Sequence, residues 1–275
     1  LQDEKWGLID LNGHVIIEPS YEEIHIARYQ RLSFWENEKW GLIDLQGNLI
    51  SPPIFDDISY FAEGLAAVVI KDENNQLAQR GFIDPNGQII FKIPHNIKWS
   101  VDDLSGDDFL ARNIAFSNGL LPVHEKDNWF IFFKQLGNAR IHYAWGAIDR
   151  KGRRRIPMKY DSIGKFSECL AEVKVKNRIG FIDTFGKIRI KPQFFSADDF
   201  SEGFASVEIK YNGKKGYIDR KGKIIAEPQF DRADKFRNGL AKVRAGNKLG
   251  YINGQGEFVW SYYLTPEEEE QVKYW

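Results

Sequence analysis

Sulfur is scarce in this chain: one cysteine, Cys169, and one methionine in 275 residues. A single thiol excludes an intrachain disulfide framework and a thiolate zinc site. Charge of one sign is not in surplus either, with 38 Lys and Arg against 39 Asp and Glu. A dedicated nucleic-acid binder carries a basic excess, so nucleic acid is not the expected partner. Nowhere do 18 apolar residues follow one another, and a membrane-spanning helix needs about 20. Catalytic signatures are missing as well. The five histidines form no His-Glu-x-x-His pair, and neither a Gly-x-Ser-x-Gly nor a Walker sequence occurs. The expectation is therefore a protein without cofactor, resident metal or enzymatic activity. The chain opens on Leu1 rather than Met and reads as trimmed from a longer protein, so its compartment is left open.

What the chain does have is aromatics and glycine: 20 Phe, 11 Tyr, 8 Trp and 24 Gly. Both excesses come from an internal repeat. The segment Lys5-Trp6-Gly7-Leu8-Ile9-Asp10, followed two residues later by Gly13, recurs around Gly41, Gly81, Gly146, Gly180, Gly216 and Gly250. All seven copies keep the Ile and the second Gly. Six keep the Asp, and the seventh has Asn253. The base spacing is 34 residues, within the range of stacked repeat architectures.

Each anchor has a physical reading. Asp-x-x-Gly fits a type I turn, with the carboxylate accepting backbone N–H groups and glycine supplying a positive φ. Apolar residues on both sides make that turn a β-hairpin. A proline twelve residues after the first glycine (Pro19, Pro53, Pro192, Pro228) ends the pairing, because it has no N–H to donate. A third anchor, Phe-x-x-Gly-Leu-Ala-x-Val, starts another strand at Phe61, Phe166, Phe200 and Phe236, with an altered form at Phe116. Each repeat thus supplies about three antiparallel strands. The recurring aromatics read as stacking between neighbouring repeats, and Cys169, in a glycine slot, as a small buried residue.

With these elements in place, the chain resembles the WG (or KWG) β-repeat family, most clearly at Lys5-Trp6-Gly7-Leu8-Ile9-Asp10 and Lys39-Trp40-Gly41-Leu42-Ile43-Asp44. The resemblance spans essentially the whole chain, although the Trp itself is kept only at Trp6, Trp40 and Trp145. It implies a bacterial origin, a repeat-built β architecture and the binding of other molecules, with no enzymatic activity and no catalytic residues.

The expected fold is all-β: one array of about seven tandem three-stranded repeats over residues 1–275, closed by a cap at 261–275. Thr265-Pro266-Glu267-Glu268 has the residue order of a helix start, with Thr as N-cap, Pro at the first position and Glu in the first turn. Three strands per repeat favour an open superhelical, solenoid-like array, with a propeller-like ring as the alternative.

Distinctive function is expected where the period is broken, at insertions 71–76, 95–115 and 124–145. The stretch 101–109 holds Asp102, Asp103, Asp107 and Asp108, but not in the order of a calcium loop, so it reads as a solvated acidic segment. The last insertion reads as a lengthened hairpin with aromatics on both arms. The candidate binding residues are Trp99, Trp129, Phe130, Phe132, Phe133, Arg140, His142 and Tyr143. The reading is a non-catalytic scaffold for a protein or peptide, using the repeat surface and this hairpin. A cell-envelope glycan-binding module is the alternative, and a hydrolase a weaker third.

Overall fold

The computed structural model describes residues 4–74, 76–94, 97–98, 115–126 and 143–271. They form seven antiparallel sheets in chain order, one per repeat, and one short helix, Pro266–Gln271. The first sheet has two strands, Trp6–Ile9 and Val15–Tyr21, and each of the other six has four. In the sixth sheet these are Ser196–Ala197, Phe204–Glu208, Lys215–Asp219 and Ile224–Phe230, each hydrogen-bonded to the next. In the seventh they are Arg232–Ala233, Ala241–Ala245, Lys248–Ile252 and Phe258–Tyr263.

The count of three strands per repeat is thereby corrected to four. The extra strand is only two residues long in most repeats. It forms where the chain, having turned after the aromatic at the strand end, pairs briefly with the third-anchor strand, as Ser196 and Ala197 do with Glu208 and Val207. Two residues are too few to leave an alternation in the sequence. The strand-count argument for an open array falls with it.

The chain divides into two compact units, Leu1–Lys126 with Ala147–Arg154, and Asp127–Gly146 with Arg155–Trp275. The first unit contains sheets one to three and the second contains sheets five to seven.

The Asp-x-x-Gly turns behave as their chemistry dictates. In all seven, one side-chain oxygen of the Asp or Asn accepts two backbone N–H groups, two and four residues on: Asp219 from Lys221 and Lys223, Asn253 from Gln255 and Glu257. The following glycines have φ between 73° and 87°, a region that L residues enter at a cost of roughly 1–2 kcal/mol. The insertion at 71–76 reuses the device, since Asp72 accepts from Asn74 and Gln76 and so lengthens one hairpin. The first glycines have a different cause. A Cβ on Gly216 would sit 2.5 Å from the Ala226 carbonyl oxygen, and one on Gly180 the same distance from that of Ile190. The facing strand approaches too closely for any side chain.

The core lies between successive sheets of each unit. One cluster joins Phe181 and Ile190 of the fifth sheet to Phe200 and Ile218; the next joins Tyr217 and Ala226 of the sixth to Phe236 and Ile252. The third-anchor phenylalanines do stack between repeats. Phe200 meets Phe181 edge-on at 4.8 Å, Phe236 meets Tyr217 at 5.2 Å, and Phe116 meets Phe82 at 5.0 Å. Trp40 meets Trp35 and His25 at 5.1 Å each within its own sheet, and it joins Ile58, Phe61 and Val68 of the next repeat in one core cluster. Cys169 is exposed rather than buried, with φ 63°, because the glycine slot it fills is a surface turn.

Candidate binding surface of the seventh sheet

Of the residues expected to bind, Trp99, Trp129, Phe130, Phe132, Phe133, Arg140 and His142 lie outside the described residues, as does the acidic stretch 101–109. Tyr143 is described only as the first residue of the strand Tyr143–Asp149. Lys151, Arg153, Arg154 and Arg155 form a basic cluster on a repeat turn; two of them are paired, Arg153 to Asp149 at 2.8 Å and Arg154 to Glu125 at 2.7 Å.

A cavity in the first unit is lined by His25, Ser33, Trp40, Ile58, Ser59 and Tyr60 and has a volume of about 10 Å³. That is room for about one water molecule, so it is no pocket for a ligand. Among the described residues, no three His, Cys, Asp or Glu side chains are grouped to hold a metal ion.

The seventh sheet exposes a row of aromatic side chains. Three slots recur in every sheet, counted from the first glycine. The residue after it is buried at Leu42, Phe82, Ala147, Phe181 and Tyr217, but Tyr251 is 38% exposed. The residue ten places after it is buried at Ile17, Ser51, Ile156, Ile190 and Ala226, yet Trp260 is 53% exposed. The residue twelve places after it is proline in four repeats and Tyr262 here. Tyr251 and Trp260 face each other across the ladder, as Tyr217 and Ala226 do one sheet earlier. Their rings lie 6.2 Å apart, and Trp260 and Tyr262 lie 5.1 Å apart. Val259 and Tyr263 add exposed apolar surface.

The strand that carries this row, Phe258–Tyr263, is at the edge of its sheet. Edge strands offer unpaired N–H and C=O groups, and proline is one of the residues that blunts them. The edge strands Leu49–Phe55, Arg154–Tyr160, Ile188–Phe194 and Ile224–Phe230 each contain proline; Phe258–Tyr263 contains none.

Beyond this strand, Leu264 is buried and its N–H donates to the Asn247 carbonyl. Thr265 and Glu268 then form a capping box: the Glu268 N–H donates to the Thr265 hydroxyl, and the Thr265 N–H to the Glu268 carboxylate. The helix start is as the residue order indicated. The residues of Pro266–Gln271 are all exposed, and Tyr274 and Trp275, expected to cover the last repeat, lie outside the described residues.

Two features of the site were not anticipated. Trp260-Ser261-Tyr262-Tyr263 departs from the period, and the residue order does not say that its aromatics are uncovered. The other is a set of glutamates that tie each repeat to the next. Glu63 accepts from the Gly119 N–H, Glu168 from Gly203, and Glu202 from both Asn238 and Gly239. The signal was a Glu two residues after the anchor Phe in three repeats.

Seven sheets, one to each repeat, all turned by the same Asx hairpin, define a β-repeat protein. The chain belongs to the family built from the WG-containing repeat, whose pattern matches residues 6–29, 40–73, 145–178, 179–214 and 216–248, more than half of its length. No curated protein matches the sequence. Among solved structures, a eukaryotic initiation factor is similar at a TM-score of 0.44 and 9% identity, over 90% of this chain and 78% of that one. Virginiamycin B lyase from Staphylococcus aureus is similar at 0.35 and 14%, over 90% and 85%. Likenesses this distant carry no functional argument.

Proposed function

We propose that this chain is a non-catalytic binding scaffold, and that it takes an extended peptide segment of a protein partner on the edge strand Phe258–Tyr263. The observation that carries the reading is the pairing of an open strand edge with exposed aromatics, where four other repeats place proline. Strand addition draws affinity from main-chain hydrogen bonds and specificity from alternate side chains. Trp and Tyr supply large contact area at low conformational cost and are the usual binding hot spots. The repeated carboxylates support the non-catalytic half of the reading, since each is occupied in bonding backbone amides of its own turn.

The test is a peptide library and a glycan array probed with the natural chain and with Tyr262→Pro. Pro19, Pro53, Pro192 and Pro228 hold the twelfth place where their ladders shift register, whereas Tyr262 pairs directly with Leu249, so circular dichroism and melting verify that the variant folds. The reading expects peptides bound by the natural chain, at least tenfold weaker binding by Tyr262→Pro, and no glycan signal. Undiminished peptide binding by the variant, or glycan hits without peptide hits, would overturn it. The exposed row Tyr251–Trp260–Tyr262 is what gives the glycan alternative its place in the assay.

A further inference from the structure

The near-balance of charge over the whole chain conceals two opposite halves. Residues 1–126 hold 10 Lys and Arg against 20 Asp and Glu, whereas residues 155–263 hold 21 against 13. A field of one sign over part of a molecule selects partners of the other sign and speeds their arrival. In the second unit part of the surplus sits on two successive hairpin turns. The turn between Leu170–Val175 and Arg178–Asp183 brings together Lys174, Lys176 and Arg178, and the one between Phe204–Glu208 and Lys215–Asp219 carries Lys210 and Lys214. The corresponding hairpin of the second sheet carries Glu36 and Glu38.

The sixth-sheet hairpin also breaks the period. Gly180 and Gly216 are 36 residues apart instead of 34, and the extra length stands in this turn. Lys210, Tyr211, Asn212 and Gly213 lie between Ile209 and Lys214, where the fifth sheet has only Lys176 and Asn177 between Val175 and Arg178. The Gly213 N–H closes the turn on the Lys210 carbonyl at 3.0 Å. Tyr211 is left 73% exposed, with its ring edge-on to Phe195 at 5.1 Å; Phe195 and Ile209 are exposed as well. Phe195 is anchored by its N–H on the Glu208 carbonyl, and Arg178 reaches across from the fifth sheet to donate to the Ile209 carbonyl at 3.1 Å. The two turns thus meet, and rings and cations share one surface. Lys214 is paired to Asp231 and Lys215 to Asp198. Lys176 and Lys210 are exposed and pair with no carboxylate among the described residues.

We infer that this surface is a second binding site, for a short acidic segment of a partner protein that carries an aromatic side chain. The aromatic side chain packs on Phe195, Tyr211 and Ile209, and the carboxylates beside it meet Lys176, Lys210 and Arg178. Charge complementarity sets the sign of the occupant, and the two exposed rings set its aromatic residue. A nucleic-acid strand fits less well, because its backbone needs an unbroken cationic track, and Asp161, Asp198 and Asp231 stand at these same turns. With few anchors, all of them at the surface, association is expected to be weak, ~10–1000 µM, and sensitive to salt. The site shares no residue with the edge strand Phe258–Tyr263, so it stands apart from the strand-addition reading.

The test is fluorescence anisotropy of the 275-residue chain with a labelled short peptide of Asp and Glu around a central Trp. The comparison probes are the same peptide with Lys for every acid, the same peptide with Ala for the Trp, and a single-stranded thymidine oligonucleotide. The variants are Tyr211→Ser and the double change Lys176→Glu with Lys210→Glu, all at exposed positions, with circular dichroism and melting to verify that each folds. The acidic Trp peptide is expected to bind, and both altered peptides to bind at least about fivefold more weakly. Each variant is expected to weaken binding by about fivefold or more, as is a rise from about 20 mM to about 200 mM salt. No binding of the acidic Trp peptide, undiminished binding by either variant, equal binding of the Lys peptide, or tighter binding of the oligonucleotide would each overturn the inference. Tyr262→Pro scores the other reading: it is expected to leave this peptide bound as before. Loss with Tyr262→Pro but not with Tyr211→Ser places the peptide on the edge strand and sinks this inference alone, whereas binding here with no library peptide lost through Tyr262→Pro sinks only the other.

Discussion

Tyr217 and Tyr251 hold the same slot in adjacent sheets, with the same neighbours in sequence and the same partner position across the ladder. Tyr217 is buried against Phe236, and its hydroxyl donates to the Asp234 carbonyl at 2.5 Å. Burial and the nearby carboxylates push its phenol well above the ordinary range, so it stays neutral. Tyr251 lies open beside Trp260. Each pairs with the tenth-place residue of its own sheet, although the ladder shifts register between Lys215 and Tyr217 and runs straight from Lys248 to Tyr251; the cover is what separates buried from exposed. In a stacked array the meaning of a residue is set by the neighbouring repeat, so one slot serves as core in one sheet and as contact surface in the next.

The largest expected effect is at the cover itself. Phe236 lies between Phe204 at 4.5 Å and Tyr217 at 5.2 Å, so Phe236→Ala should cost about 3–5 kcal/mol in urea unfolding. Trp260→Ala, at an exposed site, should stay within about 0.5 kcal/mol in dilute, monomeric protein. The turn glycines sharpen the comparison. Gly13→Ala and Gly222→Ala share the left-handed φ penalty of roughly 1–2 kcal/mol. Only the second also presses on Ile190, at 3.1 Å, so it should cost about 1 kcal/mol more. Equal melting points for the two would contradict cover of Ile190 by the Gly222 turn.

Next come the turn carboxylates. Burial acts to raise the Asp183 carboxyl, but the Lys187 and Phe185 amides and Arg189 outweigh it and hold it below the usual carboxylate range. A depressed folded value gives stability that is present above the unfolded value, about 3.9, and is lost as pH falls through the folded one. Asp183→Asn should keep both amide bonds, as Asn253 does in its own turn. It should lose the Arg189 pair and flatten the acid limb of the stability curve below about pH 4. The smallest effect runs the other way. Burial raises the Glu172 carboxyl, Asp199 and Asp198 add to the rise, and Lys235 opposes it. The folded chain then binds a proton that the unfolded chain releases, so stability declines as pH rises above the ordinary Glu value. Glu172→Gln should stabilise the fold at pH 7, by less than ~1 kcal/mol once solvent screening is allowed for, seen as a higher melting temperature, and have no benefit at pH 4.

The period made much of this legible. The glycine slots recur seven times, the Asp slot six and the anchor Phe five, each under a backbone or packing constraint, so the turns, the sheet number and the stacking phenylalanines could be read directly. The two-residue strands could not, because a ladder that short has no pattern. Nor could the exposure of Trp260. Its place in the period marks a slot that is buried at Ile190 and Ala226, and nothing in the residue order says that it is open here.

The central claim, that cover by the neighbouring repeat decides the role of a slot, is tested most directly by the unfolding free energies of Tyr217→Ala and Tyr251→Ala in dilute protein. The account predicts a loss of about 3–5 kcal/mol for the first and below about 1 kcal/mol for the second; equal losses would contradict it.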